Sequence, residues 1–120
     1  MNNGWIGVDL DGTLAHYEGW DGGKIGKPVP LMVERVQRWL AEGLDVRVFT
    51  ARISDPDKRT HAAVVAAIDA WCIEHIGQPL KVTNVKDFSL VELWDDRAVQ
   101  VEKNTGVRRG ESVFEDDPET

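Results

Sequence analysis

Residues 7–14 read GVDLDGTL, so Asp9 and Asp11 follow an apolar run and are followed directly by Gly12 and Thr13. A carboxylate at the end of a buried strand is costly unless it is paired or meets a cation. A pair placed there points to chemistry rather than to solubility. Other groups could join them: Thr50 ending DVRVFT, Arg52 just beyond it, Lys81 and Lys86 in KVTNVK, and Asp95 with Asp96 after VELW. Carboxylates gathered around one lysine and one hydroxyl repel one another unless a divalent cation joins them. Hard oxygen donors without a His or Cys partner suit Mg²⁺, which keeps several waters and shares its shell with substrate phosphate. His16 reads as a surface residue, and His61 and His75 lie in a helical pattern with no partner motif, so no zinc site is expected.

The elements that would position these groups are legible from hydrophobic period. WIGVDL is a first strand, and the Gly-rich AHYEGWDGGKIGKPVP that follows is a loop or small hairpin. Met32, Val36, Trp39 and Leu40 recur at helical spacing from about Pro30, with Gly43 as the stop. DVRVFT is a second strand. Val64, Val65, Ile68, Trp71, Cys72 and Ile76 then form the apolar face of a longer helix closed by Gly77. LKVTN, VELW and AVQVE are read as the third, fourth and fifth strands. Strands alternating with helices predict an α/β domain: a three-layer, Rossmann-like fold with a mostly parallel sheet of about five strands and helices on both faces. Ligands of such sheets bind beyond the carboxyl ends of the strands. Asp9, Asp11, Thr50, Asp95 and Asp96 all fall at such ends, with Lys86 between the third and fourth strands.

Composition sets the frame. With 120 residues, 42% of them hydrophobic and 29% charged, the chain suits one globular domain, taken as residues 1–109. Residues 110–120, GESVFEDDPET, are acidic and lack periodicity, and are read as a mobile tail. The net charge of −7 disfavours nucleic acid and anionic membrane as partners. No run approaches the ~18 apolar residues of a membrane span, and the N-terminus does not read as a signal peptide. The single cysteine, Cys72, excludes an internal disulfide, fits a reducing cytoplasm and reads as core filler.

DLDGT after an apolar strand, then a strand ending in Thr, a lysine and an acidic pair, resembles the haloacid dehalogenase superfamily of phosphohydrolases. The resemblance runs from Trp5 to about Val101. It implies a nucleophile at Asp9, forming an aspartyl-phosphate, and a general acid and base at Asp11. It also implies a phosphoryl-holding hydroxyl at Thr50 and a charge-balancing lysine, for which Lys86, in a loop, is better placed than Lys81 within the strand. Asp95 and Asp96 would hold Mg²⁺ together with the Asp9 carboxylate and the Asp11 carbonyl. Backbone N–H groups from Leu10 to Gly12 would face the phosphoryl oxygens.

Arg52 is a candidate for a second substrate anion, and Tyr17 and Trp20, in the flap after the nucleophile, for substrate contact. Trp94 reads as core. An acid for the leaving oxygen favours phosphate-ester cleavage over dehalogenation. Neither usual insertion point has room for a cap domain, so the site should be open, suiting a large substrate or a small one covered by a neighbouring subunit. Two other readings share these residue types. In a receiver domain the acidic pair comes early and the phospho-acceptor later, the reverse of this order. A non-catalytic phosphate-binding domain would ordinarily have lost one of these groups, and here each position is filled.

Overall fold

Residues 4–111 are described by a computed structural model. Four strands, β1 (Trp5–Val8), β2 (Asp45–Phe49), β3 (Lys81–Thr83) and β4 (Leu90–Trp94), form one sheet in the order β3-β2-β1-β4, every pairing parallel. Helix α1 (Pro30–Ala41) connects β1 to β2, and α2 (Lys58–His75) connects β2 to β3. Pro30 begins α1, where its missing N–H costs nothing. The Asp57 carboxylate caps α2 by accepting the Arg59 N–H at 2.8 Å. Among the described residues no helix is long and apolar enough to cross a membrane.

Strand alternation divides the sheet into two unlike faces. Ile6, Val8, Val46 and Val48 point to one face and join Met32, Val33 and Val36 of α1 with Ile68, Trp71 and Cys72 of α2 in a single core. Both helices therefore cover the same face. The expectation of helices on both faces, and hence of three layers, is corrected to one helical layer on a four-stranded sheet. The other face is covered locally by side chains and loop. Trp5 is only 1% exposed there, beneath the Arg47 guanidinium at 4.6 Å and the Phe49 ring at 6.4 Å, with its indole N–H donated to Asp87 at 2.8 Å. Because β3 and β4 occupy opposite edges, residues 84–89 must cross the sheet, and the Asp87–Trp5 bond shows that they cross this second face.

The fifth strand is also a correction. Val101 does not join the sheet; it bridges Arg108, and Arg109 N–H bonds to the Gln100 carbonyl, closing a small local hairpin. Asn104 and Gly106, both at positive φ, make the turn. Alternation in AVQVE thus serves a nearby partner and not the distant edge. Of the predicted tail, residues 112–120 lie outside the described residues. Cys72 is core as expected, and burial pushes its thiol up to about 11.

The core makes one prediction. Ile68 is fully buried between α2 and the sheet. Ile68→Ala is expected to lower unfolding stability by about 2–5 kcal/mol, read from the midpoint of a urea titration.

Candidate functional site

The chain leaves β1 toward β2 on one side and reaches β4 last on the other, so the crevice between the carboxyl ends of β1 and β4 is the sheet's switch point. The ladder continues one step past β1, where the Asp9 N–H donates to the Trp94 carbonyl at 2.9 Å. That bond sets Asp9 beside Asp95 and Asp96, residues more than eighty positions away in sequence. One carboxylate oxygen from each of the three lies within 4.8 Å of the others, a grouping that could hold a metal ion. Trp94 itself packs on Trp39, with ring centroids 5.2 Å apart, and so belongs to the core side as expected.

The turn after Asp9 is folded on itself. Leu10, Leu14 and Ala15 are fully buried anchors, and the Leu14 and Ala15 N–H groups return to the Leu10 carbonyl at 3.0 and 2.8 Å. The Gly12 N–H donates to the Ala15 carbonyl at 2.8 Å, so it is not a free phosphate donor as the sequence predicted. What the position requires is the absence of a side chain. Gly12 has φ +90°, and a Cβ there would stand 2.6 Å from an Asp96 carboxylate oxygen. The Leu10 N–H faces the Asp9 carboxylate. Thr13, which sequence reasoning passed over, joins the two halves. Its hydroxyl accepts the Asp96 N–H at 3.0 Å and donates to Asp96 Oδ1 at 3.1 Å. The Arg97 N–H donates to Asp95 Oδ1 at 2.7 Å, fixing the other member of the pair. The DGT of the first turn is the signal that could have pointed to Thr13.

The charges are unequal. Burial first, then the Asp95 charge and then Asp96, together raise the Asp9 carboxyl from 3.8 to about 7. Asp11 is separate from this trio. Its two oxygens accept a forked pair of bonds from Arg52, Nε to Oδ2 at 2.7 Å and Nη2 to Oδ1 at 2.8 Å, with the Arg52 side chain only 8% exposed. Arg52 also donates to the carbonyls of Gly23 and Lys24, at 2.8 and 3.3 Å, and lies 5.1 Å from the Trp20 ring centroid. Arg52 is thus spent on the protein's own anion and on the flap. The flap's far end is held by the Trp71 indole N–H, donated to the Gly26 carbonyl at 2.9 Å.

These groups face a cavity of about 690 Å³ whose wall includes Asp9, Asp11, Thr50, Asp95, Asp96 and Trp20. Tyr17 and Arg97 also line it. Thr50 is 2% exposed and already accepts the Arg52 N–H at 3.1 Å, which leaves its hydroxyl proton free to donate. Neither Lys86 nor Lys81 is part of the wall. Lys86 precedes Asp87, which contacts Trp5 at the start of β1, about 13 Å by strand rise from Asp9. Lys81 lies exposed on the edge strand β3. Among the described residues the cations of the wall are Arg52 and Arg97.

Two outcomes follow for the metal-free protein. With a folded value near 7 against 3.8 when unfolded, Asp9 gives the native state the extra proton between those limits. Stability should therefore fall as pH rises from about 4 to about 7. Denaturation in chelator at pH ~5 and ~7.5 is expected to show this slope, and Asp9→Asn to remove most of it; an identical slope in the variant would refute the assignment. Gly12→Ala is expected to cost about 1–3 kcal/mol by the same assay, from positive φ and displacement of Asp96.

No protein family and no curated protein matches the sequence. Among solved structures, one described as that of the conserved protein coded by locus from Bacteroides thetaiotaomicron is similar, with a TM-score of 0.58 at 20% identity. The match covers 82% of this chain and 79% of that one. At such identity the likeness is one of fold: the chain shares an α/β architecture with that protein.

Proposed function

We propose that the protein is a Mg²⁺-dependent phosphomonoesterase of the haloacid dehalogenase type, acting through an aspartyl-phosphate on Asp9. The observation that carries this reading is the meeting of Asp9, Asp95 and Asp96 at the switch point, with Asp11 on the adjoining turn. An oxygen-only donor set with a surplus of negative charge fits Mg²⁺, which when bound would polarise the phosphoryl group and favour ionised Asp9.

Each residue then has a defined part. The Asp9 carboxylate attacks phosphorus, forming the acyl-phosphate bond as the bond from phosphorus to the ester oxygen breaks. Asp11, a carboxylate while it is paired with Arg52 alone, takes up the proton brought in by the phosphate monoanion and gives it to that departing oxygen. It then takes a proton from the water that attacks the acyl-phosphate, freeing Asp9 and inorganic phosphate. Each Asp11 oxygen has a second lone pair beyond the one Arg52 uses, so its partner can approach with the guanidinium still seated. The Thr50 hydroxyl donates to a phosphoryl oxygen. Charge balance, expected of Lys86, falls instead to Arg97 on the cavity wall.

The test is phosphate release from p-nitrophenyl phosphate, with Mg²⁺ and with chelator. Turnover is expected only with the metal, and Asp9→Asn is expected to lose about a thousandfold or more in kcat. Turnover in that variant near the wild-type rate would refute Asp9 as nucleophile. A phospho-aspartate that forms and does not turn over would identify a phosphate-accepting domain instead.

A further inference from the structure

The Trp20 indole is 67% exposed. Tryptophan is ordinarily buried over most of its surface, and an exposed one beside a polar cavity is a contact surface awaiting a partner. The ring is nevertheless held in place. The guanidinium 5.1 Å from its centroid is that of Arg52, whose remaining donors grip Asp11 and the flap carbonyls of Gly23 and Lys24. One rigid planar cation thus fixes the height of the indole relative to Asp11. Trp20, Ala51 and Arg52 also line a second groove, of about 880 Å³, so this groove adjoins the carboxylate cavity. Its wall carries the small or apolar Ala63, Val64 and Ala67, with the hydroxyls of Ser54 and Thr60 among them.

Attack by Asp9 drives the leaving oxygen out on the opposite side of phosphorus, where Asp11 must reach it. The body attached to that oxygen therefore emerges beside Asp11, and so beside Arg52 and Trp20. We propose that Trp20, backed by Arg52, is a stacking platform for the leaving group, and that the substrate is a nucleoside monophosphate. This rests on the phosphomonoesterase reading of the same site. A flat base matches the indole face in shape and π surface, and the adjoining groove has the size of small-molecule sites. The groove's hydroxyls supply partners for ribose or for the base edge.

The test compares kcat/KM for adenosine 5′-monophosphate and glucose 6-phosphate, with Mg²⁺, in the wild type, Trp20→Ala and Trp20→Phe. The nucleotide is expected to be preferred. Trp20→Ala is expected to reduce the ratio of the two values about tenfold, or ~1.4 kcal/mol, within what base stacking on an aromatic side chain supplies. Trp20→Phe should restore most of it. A ratio unchanged in Trp20→Ala overturns the platform and leaves the phosphatase reading standing. Calorimetric binding of adenosine 5′-monophosphate to Asp9→Asn, with and without Trp20→Ala, separates the two ideas when turnover is absent. About tenfold weaker binding without the indole upholds the platform independently of turnover, and equal binding overturns it.

Discussion

Three carboxylates within 4.8 Å of one another are the constraint around which the rest of this molecule is arranged. Burial disfavours the charged Asp9 carboxylate and the two neighbouring acids repel it, which is why this carboxyl holds its proton to about 7 when no cation offsets the charge. Such an arrangement persists only because stronger forces hold the backbones that carry it. Those forces are the parallel ladder between β1 and β4, extended by the bond from Asp9 N–H to the Trp94 carbonyl, and the buried Leu10, Leu14 and Ala15. The apolar core thus offsets electrostatic repulsion at its edge, and a cation is the natural complement to what remains.

Asp11 shows the opposite solution to the same problem. Its charge is answered within the protein by Arg52, in a fork whose geometry suits a carboxylate. Two aspartates separated by one residue therefore meet unlike surroundings, one beside two acids and one beside a guanidinium. Different surroundings are what would allow neighbouring carboxylates to take different roles, the nucleophile and proton carrier of the reaction proposed above. Arg52 further joins the flap to this second carboxylate through the Gly23 and Lys24 carbonyls. The flap, Asp11 and the Trp20 indole form one connected unit through Arg52, anchored at its far end by Trp71 of α2.

The residues that face the cavity were mostly legible from the chain: Asp9, Asp11, Thr50, Asp95 and Asp96 by type and place at strand ends, Trp20 and Arg52 as candidates. Lys86 was expected among them and does not line the cavity, because its position depends on how residues 84–89 cross the sheet, and the short β3–β4 link carries them over the face away from the helices. The Gly12 N–H, expected to face phosphate, is used by backbone bonding inside the turn, and the residue contributes a positive φ and steric room. Thr13 stands out only as the last residue of the DGT, and Arg97 has no periodic or motif signal that separates it from ordinary polar residues.

By itself, the sequence determined the elements and their order, because hydrophobic period and turn residues act over a few neighbouring positions. It likewise determined that acidic groups end two strands. Tertiary structure alone decided the rest. Which sheet face the helices cover, the loss of AVQVE to a local hairpin, and the Arg52–Asp11 fork all depend on contacts between distant segments. Such contacts are set by the competition of many packings for the same core, a quantity that no local window of residues contains.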